Sequence, residues 1–199
     1  IGGDPQDKDY IGGDSYIKIG NNNLFREFVT IHRGTKEGTS TVIGNNNFLM
    51  SYAHMGHNAE IGNNNILTNT CQLAGYSKVG NNSILSAFTA VHQFVKIGDY
   101  VMCGGGCLVN KDVPPYSMMW GQPAKVIGLN LVGLKRNGFN SDKILEIKDM
   151  YNILYHSKLP FTQAIEQINK KYPESPEANN LVDFFKNSKR GLSAFGRDR

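Results

Sequence analysis

The chain has 199 residues and is poor in charge, in cysteine and in long apolar runs. No stretch of 18 apolar residues occurs, so no membrane-spanning helix is expected. No basic start is followed by an apolar segment, so no secretory signal is expected and the cytoplasm is the expected compartment. Cysteine is limited to Cys71, Cys103 and Cys107. So odd and sparse a set argues against a disulfide framework and suits a reducing environment. Cys103 and Cys107 have no histidine partners at matching spacing, which argues against a zinc site. Charge of one sign is scarce over residues 1–127, which hold nine Lys/Arg and nine Asp/Glu. Residues 128–199 hold twelve and eight, so the net charge of +4 resides there. That basic tail suits an anionic ligand, such as an acidic carrier protein or a nucleotide diphosphate, and equally suits a solvated helical surface. Basic residues are not interleaved with aromatics, so no nucleic-acid partner is expected.

Helical and simple alternating periodicities are also missing from the middle of the chain. What replaces them is a period of six: Ile43, Leu49, Met55, Ile61, Leu67, Leu73, Val79, Leu85, Val91, Ile97, Cys103 and Val109. Neither a helix nor an ordinary strand produces that spacing. Gly-Asn-Asn motifs begin at Gly44, Gly62 and Gly80, eighteen residues apart, or three hexads. This pattern predicts a solenoid with three short strands per coil and one aliphatic side chain per hexad inside. Gly and Asn mark corners, where positive φ is tolerated. Cys103 falls on the interior ladder and reads as a small buried hydrophobe.

Residues 1–18 are rich in Gly and Asp and read as an excursion from the solenoid; Ile1-Gly2-Gly3-Asp4 does not read as a natural start. Ile19, Phe25 and Ile31 begin the ladder, and a second excursion spans residues 33–40. Such excursions are where solenoids place function. Pro114-Pro115 predicts the end of the solenoid, because two prolines cannot continue a strand ladder. Helical spacing then takes over: Ile144, Ile147, Tyr151 and Leu154 form a stripe behind a cap at Ser141-Asp142, Pro160 breaks it, and Ser175-Pro176 opens the last helix. The expected organisation is a β-helix over 1–127 and a small helical domain over 128–199 that caps its open end.

Chemistry is sought where polar residues break the ladder. In Ala53-His54-Met55-Gly56-His57-Asn58, Met55 points inward, which leaves its neighbours free to meet solvent or a partner. Adding eighteen to 57 gives Gly75, and eighteen more gives Gln93, so the three are expected to stack on successive coils. An imidazole beside a bare backbone N–H supplies a general base and an oxyanion donor, the parts acyl transfer needs. The alternative is that His54 and His57 are ordinary surface histidines. Metal binding by His32, His54, His57 and His92 is disfavoured, since no acidic partner is evident to orient them.

Several segments together resemble the UDP-N-acetylglucosamine O-acyltransferase family of lipid A biosynthesis: Glu27 to Thr35 (EFVTIHRGT), Ala53 to His57 (AHMGH), Gln72 to Gly75 (QLAG), Ala90 to Phe94 (AVHQF), Asp112 to Tyr116 (DVPPY) and Gly133 to Arg136 (GLKR). The resemblance runs through almost the whole chain in order. It implies an all-β left-handed parallel β-helix followed by the small α-helical domain, more coils before Ile1, and a homotrimer with sites in the clefts between subunits. It implies that His57 is the general base, that Gly75 supplies the oxyanion donor, and that Gln6 and Asp7 hold the sugar. His54, Tyr76, His92 and Gln93 line the same cleft by this resemblance, and Asn130 and Arg136 reach the nucleotide and thioester arm. Acyl carrier protein delivers the acyl group to a UDP-sugar, so no cofactor and no metal are expected. Four positions depart from the pattern: Asn58 replaces Asp beside the base, Tyr76 replaces His, Val132 replaces a carboxylate, and Asp9 stands where Lys is usual, with Lys8 one residue early. These leave open an amino sugar as acceptor. Other readings are a related transferase using a coenzyme A donor or acting at a later N-acyl step, and a non-catalytic solenoid.

Overall fold

A computed structural model describes residues 1–196. Residues 197–199, the end of the expected helical domain and the source of two of its basic side chains, lie outside the described residues. The chain winds five coils of three strands each. The coils are β1 (Tyr16–Ile19), β2 (Leu24–Phe25) and β3 (Thr30–Ile31); β4 (Ser40–Ile43), β5 (Phe48–Leu49) and β6 (His54–Met55); β7 (Glu60–Ile61), β8 (Ile66–Leu67) and β9 (Gln72–Leu73); β10 (Lys78–Val79), β11 (Ile84–Leu85) and β12 (Ala90–Val91); and β13 (Lys96–Ile97), β14 (Met102–Cys103) and β15 (Leu108–Val109). Like strands of successive coils pair in parallel and build three sheets: β1-β4-β7-β10-β13, then β2-β5-β8-β11-β14, then β3-β6-β9-β12-β15. From the second coil on, every ladder residue is at most 4% exposed.

The interior holds more than the expected one side chain per hexad. The residue two before each ladder position is also buried: Ala53, Ala59, Asn65, Cys71, Ser77, Ser83 and their equivalents. These are small residues, and they fill the space between aliphatic neighbours at close-packed density. Cys71 and Cys107 take this second interior position, whereas Cys103 is on the ladder itself.

Corners obey one rule. Their third residue adopts left-handed φ near +60°: Asn46, Asn64 and Asn82 between the first and second sheets, Phe28, Tyr52 and Phe88 between the second and third, Asn58, Tyr76 and Phe94 between the third and first. Asn accepts this conformation readily, whereas bulky aromatics do so only where their surroundings hold them there. The Asn corners carry a ladder of their own. The backbone N–H groups of Asn21, Asn45, Asn63 and Asn81 donate to the side-chain oxygens of Asn45, Asn63, Asn81 and Asp99 respectively, at 2.6–2.9 Å.

The two prolines do not end the solenoid. They stand at a corner, with Val113 bridged to Ile97, and β16 (Ser117–Gly121) then adds to the second sheet beside β14. Corner N–H groups elsewhere donate to the next coil, but among the described residues no further coil of the first sheet lies beyond the Val113 bridge, so the missing N–H of proline is tolerated there. The return strand β17 (Ala124–Leu129) pairs antiparallel with β16.

Among the described residues four helices follow: α1 (Leu131–Arg136), α2 (Ser141–His156), α3 (Phe161–Lys171) and α4 (Pro176–Lys186). Asn140, not Ser141 or Asp142, caps α2 by accepting from the Lys143 N–H, and Ser175 caps α4 with Pro176 in its first turn. Ile147, Tyr151 and Leu154 are buried, as the helical stripe requires, while Ile144 is half-buried. Asn180 on α4 donates to Asp99, the last member of the Asn ladder. After α4 the chain returns across the last coil, where buried Asp112 gathers it. One Asp112 oxygen accepts from the Lys96 N–H, and the other from the Ser188 hydroxyl and the Lys189 and Arg190 N–H groups. Among the described residues no helix is long and apolar enough to cross a membrane.

Candidate active site

The site forms at the corner between the third and first sheets. His57, Gly75 and Gln93 stack there in register: the Tyr76 N–H donates to the His57 carbonyl at 3.0 Å and the Phe94 N–H to the Gly75 carbonyl at 3.3 Å. Gly75 has to be glycine because the imidazole lies on it. A β-carbon at that position would stand 2.5 Å from both Cε1 and Nε2 of His57. Among the described residues no acceptor takes the Gly75 N–H. A cavity of about 540 Å³ opens beside this column, and Gln6, Asp7, His54, His57, Gly75 and Gln93 all line it. Lys8 lines it too and Asp9 does not, so the cation expected one residue later is supplied from position 8.

His57 is not the open surface residue that its corner position suggested. It is 6% exposed, because the excursion at residues 1–10 folds over it. Its hydrogen bonds define its tautomer. The Thr35 backbone N–H donates to Asn58 Oδ1 at 3.0 Å, which identifies that atom as the oxygen. His57 Nδ1 lies 3.2 Å from the same oxygen and so carries the proton. Nε2 is then the basic nitrogen, and Asp7 Oδ2 lies 3.9 Å from it. Where the family pattern has a carboxylate beside this histidine, a neutral amide therefore orients the ring.

The remaining predicted residues fall into three places. Tyr76 does not line the cavity; its ring packs edge-on against His57 at 5.2 Å and stacks on Phe94, and its hydroxyl lies 3.0 Å from Thr35 Oγ1. His54 faces the cavity with Nδ1 2.7 Å from Thr30 Oγ1. Burial first, and the nearby His32 second, hold its pKa below the ordinary histidine value, so it stays neutral. His92 lines a neighbouring groove of about 650 Å³ with Leu108, Val109 and Pro123. Ala90 and Val91 border both hollows, so the two lie side by side as a trough, more polar on the His57 side and more apolar on the His92 side. Asn130 and Arg136 line neither hollow. Asn130 is buried and caps α1, accepting from the Gly133 N–H and donating to the Tyr100 carbonyl. Val132 is 60% exposed on α1, also away from the trough. Arg33, which holds Asp4 of the segment over His57, carries no signal of its own in the sequence. Among the described residues no group of three or more His, Cys, Asp or Glu side chains could hold a metal ion.

Comparison with known proteins bears on this site. A family model described as UDP-N-acetylglucosamine O-acyltransferase, domain 2, matches residues 112–193, and one described as bacterial transferase hexapeptide matches residues 40–75. The acyl-[acyl-carrier-protein]–UDP-N-acetylglucosamine O-acyltransferase of Synechocystis is 43% identical over 85% of this chain and 62% of its own length. The protein of the same name from Gloeothece citriformis is 43% identical over 94% of this chain and 68% of its own. The chain thus spans about two thirds of these curated relatives. Crystal structures of the UDP-N-acetylglucosamine O-acyltransferase of Moraxella catarrhalis and of the UDP-N-acetylglucosamine acyltransferase of Bacteroides fragilis superpose with TM-scores of 0.93 and 0.92. They are 41% and 44% identical, and the matches cover 97% and 96% of this chain and 76% and 75% of theirs. On this identity, coverage and shared fold, the chain belongs to the UDP-N-acetylglucosamine O-acyltransferase family.

Proposed function

We propose that the chain transfers a 3-hydroxyacyl group from acyl carrier protein to the 3-position of UDP-N-acetylglucosamine or its 3-amino analogue, the first step of lipid A biosynthesis. The observation that carries this reading is His57 Nε2, the ring nitrogen left free of Asn58, lying against a glycine whose N–H has no acceptor among the described residues. Nε2 takes the proton of the sugar 3-hydroxyl, and the oxygen attacks the thioester carbonyl. The Gly75 N–H holds the developing oxyanion. The tetrahedral intermediate collapses with cleavage of the C–S bond, and His57 returns the proton to the departing thiol. Gln6, Asp7 and Lys8 sit where the polar sugar nucleotide enters, and the apolar end of the trough suits the acyl chain.

The same proposal includes a homotrimer. The outward face of the second sheet is apolar along its length: Leu24, Phe48, Ile66, Ile84, Met102 and Met118. Beside it stand Phe28, Tyr52 and Phe88, 57–70% exposed. A further copy covering this face buries that surface, and it would bring Asn130 and Arg136 of one copy toward the trough of another. Basic residues 128–199 suit docking of an acidic carrier protein.

The test is transfer from 3-hydroxyacyl carrier protein to UDP-N-acetylglucosamine by wild type and His57→Ala. Loss of about 10³-fold or more in the variant is expected from removal of the base. Equal rates overturn the assignment. Faster transfer from coenzyme A thioesters favours the related transferase, and no transfer from any donor favours the structural solenoid. Light scattering is expected to give a trimer.

A further inference from the structure

The column that carries His57 has a member one coil below. Parallel pairing places Thr30 opposite His54 and Ile31 opposite Met55, so Arg33 occupies the position beneath His57 that Gly75 and Gln93 occupy above it. Arg33 does not line the cavity, and its guanidinium turns instead to the segment that closes it. Nη2 donates to Asp4 Oδ1 at 2.7 Å and to the Tyr10 hydroxyl at 2.6 Å. Nε donates to Asp4 Oδ1 at 3.2 Å, and Nη1 to the Gly13 carbonyl at 3.4 Å. The backbone N–H of Arg33 donates to the Gly3 carbonyl at 3.2 Å. Among the described residues, every hydrogen bond that ties residues 4–13 to the coils ends on this one side chain.

The clamp brackets the residues that matter. Asp4 and Tyr10 flank Gln6-Asp7-Lys8, and both are drawn to one cation. Between them the chain makes a tight turn: the Tyr10 N–H donates to the Asp7 carbonyl and the Asp9 N–H to Asp7 Oδ1, each at 3.1 Å. With Oδ1 so engaged, Asp7 presents Oδ2 toward His57. The Arg33 side chain is only 28% exposed, and its planar fork makes several directed bonds at once, which a lysine ammonium cannot reproduce in one geometry.

We propose that Arg33 is the positioning residue of the site: it holds Gln6 and Asp7 in register with His57 and acts only through them. The inference rests on the functional reading above for its substrate, a UDP-sugar, but not for its geometry. The experiment uses Arg33→Ala, Arg33→Lys and Asp4→Asn. In the free protein, amide hydrogen exchange at Asp9 and Tyr10 is expected to rise about tenfold in Arg33→Ala as the turn opens. The Gly56 and Ala74 amides in the coils should keep their protection. Calorimetry should show the Kd for UDP-N-acetylglucosamine rising about tenfold, with Asp4→Asn behaving alike and Arg33→Lys recovering part of the loss. The double variant Arg33→Ala/Asp7→Asn should bind no more than about threefold worse than the poorer single, since residues acting through one another do not add. Unchanged exchange over residues 4–13, or multiplying losses in the double variant, overturns the proposal. If wild type binds no UDP-sugar, the functional reading fails, while the exchange measurement still decides the clamp.

Discussion

Adding one carbon to Gly75 tests the geometry of the site without touching a titratable group. An alanine β-carbon there would stand 2.5 Å from Cε1 and Nε2 of His57 and 3.1 Å from Cδ2. Ordinary van der Waals contact needs 3.4–4 Å, so the ring has to withdraw by about 1 Å. It cannot withdraw freely, because Nδ1 is bound to Asn58 and the Tyr76 ring packs edge-on against the imidazole at 5.2 Å. Gly75 is not in the left-handed region, so alanine adds no backbone strain, and the inter-coil bonds of residues 75 and 76 are kept. A displacement of about 1 Å in a catalytic group costs about a hundredfold in rate. That is about 2.7 kcal/mol of barrier at 1.36 kcal/mol per decade. The expected result for Gly75→Ala, in the carrier-protein transfer assay, is kcat lowered about a hundredfold with KM for the UDP-sugar within about threefold. A melting temperature close to wild type should accompany it. A variant that keeps more than about a third of wild-type kcat refutes the claim that the imidazole works from its seat on this glycine.

Three other outcomes are expected from the same structure. Asp112→Ala leaves four part-buried donors without their shared acceptor, and urea denaturation is expected to show a loss of about 2 kcal/mol; a loss under about 0.5 kcal/mol contradicts the hub. Burial pushes the Cys71 thiol up to about 12 and raises those of Cys103 and Cys107 as well. Ellman's reagent should therefore find no thiol in the native protein and three in guanidinium, and one rapidly reacting native thiol would be inconsistent with the interior placement. His54, held below its ordinary value of 6.5 by burial and then by His32, binds protons more weakly folded than unfolded. Its contribution is therefore intact above pH 6.5 and is lost as pH falls through the lower folded value. Melting temperatures from pH 7 down to 5 should fall less steeply in His54→Gln, and an identical slope sinks this account.

The features legible from sequence were those that repeat. A six-residue ladder fixes which side chains face inward, and an eighteen-residue step places His57, Gly75 and Gln93 in one column. The second buried position was equally periodic, but it mixes Ala, Cys and Val with Ser, Thr and Asn and so gives no consistent hydropathy signal. Pro114 and Pro115 were misread because proline is excluded only where an N–H must donate, and this last corner has no further coil to donate to. The covering of His57 was illegible for a different reason. The segment that closes over it comes from residues 1–10, which have no period, and its anchor Arg33 is offset by a 24-residue coil rather than an 18-residue one. Asn130 was recognisable by resemblance, yet within one chain its side chain is spent on capping α1 and bonding Tyr100.

The asparagine ladder has a direction, and direction implies a terminus. Each corner N–H hands its bond to the oxygen of the next coil, so the series has to close on a group that asks for nothing further along. Asp99 is such a group, with one oxygen turned to Asn81 and the other receiving the Asn180 amide from α4. An asparagine at 99 would set two amino groups face to face. For this ladder alone, whole coils could be duplicated or deleted in the interior of the stack, where its Asn corners are interchangeable. The last coil is the exception, because it alone is matched to the helix that closes it.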